Sequence, residues 1–295
     1  LSINDGETDR GLEQLEHVVQ KDPGLQTAAI LLAILYDEKG RIDDAESVLV
    51  KAAKTNADPV VLQQRLAQLY RKHEKNDKAE EVLRTIISNN ADELGYRVSL
   101  ASFLAQTEQL EKAEKVLRDA IASDPADAQR YLLLSKFLAT KRSKQAAIDE
   151  LKRAIQHNPE LADLEFGLVE LYLSNEQKDD ARNVLESIIQ SQGLDPAGLK
   201  ARVVLAQLIA TEDPEALRVS VLIEEVLKEN TSDNDALLLR GKLAARKGDY
   251  VQAIGDFRSV LKDQPNSAEV LQLLAAAHLE NGEPELARDT LMHAV

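Results

Sequence analysis

An all-α array of repeated helix pairs is the fold class this sequence predicts, and three observations predict it. The composition is poor in strand and turn formers. Aromatic residues are 3%, Trp is absent, and only 12 Gly and 8 Pro are spread over 295 residues rich in Ala, Leu, Glu, Lys and Gln. An alanine returns at steps of 34 residues, followed four and seven positions later by apolar residues. Each such phrase is preceded by a second apolar-rich stretch of helical length.

The marker alanines are Ala45, Ala79, Ala113, Ala147 and Ala181 and, 34 residues apart from one another, Ala253 and Ala287. They open related phrases: DDAESVLVKAA, DKAEEVLRTII, EKAEKVLRDAI, QAAIDELKRAI and DDARNVLESII. Four residues on stand Leu49, Leu83, Leu117, Leu151, Leu185, Phe257 and Leu291. Three further on come Ala52, Ile86, Ala120, Ala154, Ile188, Val260 and Ala294. That i, i+4, i+7 rhythm is the buried stripe of an amphipathic helix. Prolines at Pro125, Pro159 and Pro265 separate one helix from the next.

Two irregularities remain. Thirty-four residues before Ala45 stands Gly11, in DRGLEQLEHVVQKDP, where Leu15, Val18 and Pro23 keep the phase, so the array opens on a lone second helix. Between Ala181 and Ala253 the step is 72, four more than two periods. VSVLIEEVLKEN supplies the intervening helix, with Val219 as marker. The extra residues are expected in the loop-like segments SQGLDPAG and TEDPEA, with altered helix-pair stacking across 190–218.

The preceding helices are AAILLAILYDEKG, VLQQRLAQLYRKH, YRVSLASFLAQTE, AQRYLLLSKFLAT, ADLEFGLVELYLS, LKARVVLAQLIAT, ALLLRGKLAARKG and EVLQLLAAAHLENG. A large residue followed by a small one recurs in them: Leu32-Ala33, Leu66-Ala67, Leu100-Ala101, Leu134-Ser135, Leu205-Ala206 and Leu274-Ala275, with Arg240-Gly241 and Leu168-Val169 as variants. Small residues on both partners let two helix axes approach closely.

This unit resembles the tetratricopeptide repeat. The best copy is residues 240–265, where Gly241, Gly248-Asp249-Tyr250, Ala253, Phe257 and Pro265 match the family pattern. The resemblance covers nearly the whole chain and implies a right-handed superhelical solenoid of stacked antiparallel helix pairs. It divides into a half-repeat at 1–24 and repeats at 25–58, 59–92, 93–126, 127–160, 161–195, 196–232, 233–266 and 267–295. The family's early aromatic in the first helix survives as Tyr131; elsewhere Ala29, Gln63, Arg97, Glu165, Leu237 or Leu271 stands there. Its mid-helix tyrosine survives as Tyr36, Tyr70 and Tyr172. Residue 1 is Leu, and LARDTLMHAV ends without the family's closing helix, so a slice of a longer array is expected.

Charge and chemistry narrow the function. A net charge of -15 disfavours nucleic acid and anionic membrane surfaces. No apolar run is long enough to insert in a bilayer. The absence of Cys removes thiolate metal sites and Cys nucleophiles. His17, His73, His157, His278 and His293 lie in different repeats and read as surface residues. Asp43-Asp44 and Asp179-Asp180 read as helix-start acids that cap and complement the dipole. Neither a phosphate-cradling Gly-rich loop nor a nucleophile elbow is present. A non-catalytic chain without metal or cofactor is expected.

In the family the first helices line a concave groove that receives a peptide or partner helix. The resemblance places Gln64, Gln68, Arg71, Lys72, Ser102, Lys136, Glu170, Gln207, Lys242 and Arg246 there. The positions of the family's carboxylate clamp hold Ile30, Ile34, Gln64 and Gln68, which disfavours a free C-terminus as ligand. With few aromatic anchors, a broad contact with a protein or peptide partner is expected. Long bacterial arrays of this kind also imply an alternative, a periplasmic or envelope scaffold in assembly or export of a surface polysaccharide. A third reading is an enzymatic domain appended outside the sequence.

Overall fold

In the computed structural model, which describes residues 5–292, the chain is helical throughout. Among the described residues there are seventeen helices, and the chain divides after Ala147 into two compact units. The first holds α1 (Asp5–Lys21), α2 (Gln26–Glu38), α3 (Ile42–Thr55), α4 (Val60–Lys72), α5 (Asn76–Asn89), α6 (Leu94–Gln106), α7 (Leu110–Ser123) and α8 (Ala128–Lys141). The division falls within α9 (Lys144–His157). The second unit continues with α10 (Ala162–Ser174), α11 (Lys178–Gln192), α12 (Pro196–Glu212), α13 (Leu217–Glu229), α14 (Asn234–Arg246), α15 (Tyr250–Asp263), α16 (Ala268–Glu280) and α17 (Pro284–Met292).

Short connections pack consecutive helices as antiparallel neighbours from α1 to α8 and from α10 to α17, with the even-numbered helix as first member of each pair. The marker alanines Ala45, Ala79, Ala113, Ala147, Ala181 and Ala253 are fully buried, and Val219 takes the same place on α13. Ala33, Ala67, Ala101, Ser135, Ala206 and Ala275 are buried opposite them on the first helices. Leu49, Leu83, Leu117, Leu151, Leu185 and Phe257 fill the space between helices.

The turn inside six of the eight pairs also repeats, the α8–α9 and α12–α13 turns being the exceptions. Gly40, Gly248 and Gly282 are left-handed there (φ 72 to 79°), and Glu74, Glu108 and Glu176 adopt the same conformation at φ 56, 61 and 60°. The next amide reaches back to the carbonyl five residues earlier, as in Arg41 to Tyr36, Gln109 to Leu104 and Asp249 to Ala244, which satisfies an otherwise orphaned helix-end acceptor.

Several expectations are corrected. The four extra residues do not sit in loops. α12 has 17 residues against 13 or 14 for the other first helices, and it includes Pro196, Gly198, Thr211 and Glu212. Four residues are close to one helical turn, so the lengthened helix returns its stripe to nearly the same face, which keeps Val219 in phase. Gly198 permits the entry, because a Cβ there would lie 2.2 Å from the Gly193 carbonyl oxygen. Arg202 ties this corner together, donating to the carbonyls of Gly193 and Gly198 and to Glu225. A cleft of about 200 Å³ opens between α13 and α14, lined by Val219, Ile223, Arg240 and Leu243 among others.

On α1 the buried residues are Leu12 and Val19, whereas Val18 is 38% exposed. Among the described residues this helix packs chiefly against α2. Leu291 on α17 is 46% exposed, and among the described residues that helix packs chiefly on α16. Ala294 lies outside the described residues.

Candidate functional site

The first helices expose the side chains that the resemblance assigned to a partner. In the first unit a cleft of about 340 Å³ between α2 and α4 is lined by Ile34, Asp37, Arg65, Gln68 and Lys72. A second, of about 380 Å³ between α6 and α8, has Val98, Leu133 and Phe137 as its apolar lining, with Ser102, Lys136 and Lys141 beside them. In the second unit a cleft of about 250 Å³ between α12 and α14 is lined by Gln207, Leu238, Lys242 and Arg246. Seven of the ten residues thus stand in clefts between successive first helices. Gln64, Arg71 and Glu170 are exposed on α4 and α10 but line none of these three.

The cations in this set differ in their partners. Lys72 meets Asp37 at 2.7 Å, and the half-buried His73 meets the other Asp37 oxygen at 2.5 Å. Burial pushes the Asp37 carboxyl up, but the bonds from Lys72 and His73 outweigh it and hold the group below its ordinary range. Arg71 donates to Gln106 at 2.7 Å and lies 5.5 Å from the Phe103 ring centre, joining α4 to α6. Lys242 pairs with Glu269 on α16 at 2.7 Å.

The second helices carry a different pattern, which the sequence reading missed. Glu46 receives Lys78 at 2.7 Å, Glu80 receives Lys112 at 3.2 Å, and Glu186 receives Arg218 at 2.6 Å. In the first two pairs the glutamate directly follows one marker and the cation precedes the next, and all three pairs lace neighbouring second helices. The repeat of Glu46, Glu80 and Glu114 at 34-residue steps, beside Lys78 and Lys112, was the available signal. Burial raises Glu46 and Glu80, yet hydrogen bonds from Lys78 and Tyr70, and from Arg84 and Lys112, bring both below the ordinary range.

The polar residues at the early aromatic position are strained in another way. Gln63 and Arg97 each bury a side-chain atom without a hydrogen-bond partner among the described residues. Burial alone raises the Glu165 carboxyl. At the same place in its own repeat Tyr131 is buried, with its hydroxyl donating to the Pro125 carbonyl in the turn before α8.

His278 is not a surface residue: it is 2% exposed, with Nδ1 2.5 Å from Glu283. It faces the turn into α17, where the bond to the part-exposed Glu283 satisfies the buried imidazole. His293 lies outside the described residues. Asp43-Asp44 and Asp179-Asp180 occupy first turns, but the cap residues are Arg41 and Gln177 and form no side-chain cap bond. The acids complement the dipole, and Asp44 and Asp180 accept from Arg41 and Gln177. Among the described residues no three His, Asp or Glu are grouped to hold a metal ion, and no helix is long and apolar enough to cross a membrane.

Repeated helix pairs presenting clefts between their first members define a helical-repeat protein of the interaction-scaffold type, a fold that is generally non-catalytic. The tetratricopeptide repeat family model matches residues 3–64, 144–208 and 244–295, and a second tetratricopeptide repeat model matches 65–128 and 104–162. The chain belongs to the tetratricopeptide repeat family and is an all-α solenoid of that kind. No curated protein sequence matches it. Among solved structures it is similar over 98% of its length to a chain of Naa15/Naa10 bound to HypK-THB, at 18% identity and a TM-score of 0.63. It spans 45% of that chain, less than half its length. It is also similar to a tetratricopeptide repeat protein from Parabacteroides merdae ATCC 43184, with 17% identity, TM-score 0.48, and coverage of 90% of this chain and 99% of that one. MamA protein is similar over 56% of this chain and 87% of its own, at 20% identity and TM-score 0.44.

Proposed function

We propose that this chain is a non-catalytic scaffold that holds a protein or peptide partner on the exposed face of its first helices. The observation that carries the reading is the coincidence of clefts and side chains. Apolar floors between successive first helices are bordered by Gln68, Lys72, Ser102, Lys136, Gln207, Lys242 and Arg246, groups that donate to carboxylates and peptide carbonyls. The second helices offer less, because many of their charges are satisfied by one another. Gln64, Arg71 and Glu170 extend the same exposed face on α4 and α10.

A photoreactive amino acid at Ser102 or Arg246, with the same group at Lys54 or Lys115 on second helices as comparison, tests the face. Irradiation in an extract of the source cells is expected to crosslink one discrete protein from the first-helix positions. Crosslinking from Lys54 and Lys115 alone overturns the assignment. The narrower reading, a scaffold for assembly or export of a surface polysaccharide, rests on the resemblance. A signal sequence or lipid-modified cysteine on the native protein supports it, and a plain start removes it.

A further inference from the structure

We propose that the face of the first unit built by α4, α6 and α8 docks an acidic polypeptide segment whose carboxylates flank large apolar side chains. This deepens the reading of the first helices as the partner-binding face and rests on it. The observation is one of charge placement. The chain carries 51 Asp and Glu against 36 Lys and Arg, yet VVLQQRLAQLYRK, LGYRVSLASFLAQ and AQRYLLLSKFLATK contain no carboxylate. At the chain's average frequency roughly seven would fall in these three helices. The other first helices all carry at least one, from Asp37 and Glu38 on α2 to Glu269 and Glu280 on α16.

Seven cations occupy the acid-free helices, and three of them are paired with a carboxylate or held partly buried. Lys72 is paired with Asp37, Arg130 is buried against Asp127 and the Ala120 carbonyl, and Arg97 has its Nε buried. The other four, Arg65, Arg71, Lys136 and Lys141, are exposed, and none pairs with a carboxylate among the described residues. On the second helices of the same unit Lys78, Arg84, Lys112 and Arg118 have carboxylates within 4 Å, as does Lys75 at the cap of α5. Lys51, Lys54 and Lys115 on α3 and α7 are also exposed without a carboxylate partner among the described residues, but they share their helices with Asp43, Asp44, Glu46, Glu111, Glu114 and Asp119. Only on α4, α6 and α8 does unpaired positive charge stand on helices free of acids. The helix dipole accounts for Arg71 and Lys141, which stand in last turns, but Arg65 and Lys136 lie in middle turns beyond its reach.

The α6–α8 cleft supplies the second half of the recognition. Its half-buried Val98, Leu133 and Phe137 line about 380 Å³ of open space, room for large apolar side chains, and Lys136 and Lys141 stand at its edge. A segment that inserts apolar side chains there brings its carboxylates against unpaired cations. The rest of a chain of net charge -15 repels the same segment, which confines docking to this strip.

The test uses the full chain and a panel of fluorescein-labelled 16-residue peptides, each with four Glu and three Leu or Phe at varied spacing, and the same panel with Gln for Glu. Fluorescence anisotropy is expected to find acidic peptides that bind, with their Gln counterparts at least ten-fold weaker and binding lost on raising NaCl. Lys136→Glu/Lys141→Glu is expected to weaken the best peptide at least ten-fold. Lys54→Glu/Lys115→Glu, which makes the same charge change on second helices, leaves binding within two-fold. Equal binding of Glu and Gln panels, no loss in the Lys136/Lys141 variant, tighter binding of a 16-nucleotide RNA than of any peptide, or no binding by any acidic peptide overturns the proposal. If crosslinking still comes from Ser102 and Arg246 in those cases, the first-helix face stands and only the partner's chemistry falls.

Discussion

Gly241 of α14 lies directly against the ring of Phe257 on α15, so closely that a Cβ at Gly241 would sit 2.6 Å from Phe257 Cε1 and 3.2 Å from the Asp256 Cβ. Phe257 is fully buried, and the buried Asp256 beside it accepts two bonds from Arg240. The two helices approach this far because one has no side chain where the other has its largest.

Gly241→Ala is therefore expected to destabilise, although alanine gains about 1 kcal/mol over glycine in a helix interior. The ring must move against a close-packed neighbourhood, at about 1–3 kcal/mol. Thermal denaturation of the variant checks the sign. Combined with Phe257→Leu, the loss is expected to be smaller than the sum of the single losses, because the clash is shared. A gain in melting temperature for Gly241→Ala alone contradicts the contact.

Ala147→Leu inserts three further carbon atoms at a fully buried marker. The expected cost is about 1–3 kcal/mol, measured by urea denaturation. A change below a few tenths would show that the marker does not hold the helix axes together.

Acid is expected to weaken the array through its ion-pair ladder. Asp37, Glu46 and Glu80 titrate below their ordinary ranges when folded. Carboxylates of this kind contribute stability above their unfolded pKa, about 4, and lose it as pH falls through the lower folded value. The melting temperature should stay level from pH 7 to about 5 and drop below about 4. Lys78→Met/Lys112→Met should cost about 1 kcal/mol at pH 7, two partly exposed pairs at about half that each, and the difference should vanish by about pH 3.

Glu165 has the opposite sign. Burial raises its folded pKa, so its stabilising contribution is complete below the unfolded value and declines as pH rises through the folded one. At pH 7 the charged form is held in an unfavourable place. Glu165→Gln is expected to melt about 1–2 °C above the parent at pH 7 and together with it at about pH 3.5. A lower melting temperature at pH 7 would mean that the carboxylate has a stabilising partner.

Much of the repeat was legible because its signals are local. Ala45, Leu49 and Ala52 declare one buried stripe from spacing alone, and Gly248 declares a left-handed turn that Glu74, Glu108 and Glu176 adopt without announcing it. The extra residues near Gly193 were legible as an insertion but not as helix, because Gly and Pro signal breaks in isolation. Pro196 instead begins α12, where its missing amide is harmless. Of the candidate site, the placement of Ser102, Lys136, Gln207, Lys242 and Arg246 on first helices was legible from the phase. Which of those cations are already paired was not, since Glu269 is 27 residues from Lys242.

The sequence by itself determined the all-α class, the period, the buried small residues and the acid-free run of α4, α6 and α8, because all of these are properties of neighbours along the chain. Tertiary structure decided which side chains meet across the stacking. It buried His278 against Glu283, laced Glu46 to Lys78 and Glu80 to Lys112, and left Lys136 and Lys141 beside the α6–α8 cleft without a carboxylate partner among the described residues. The reason is range. Helix propensity and periodicity act within a few residues, whereas an ion pair between neighbouring second helices exists only where packing brings residues some thirty apart within 4 Å.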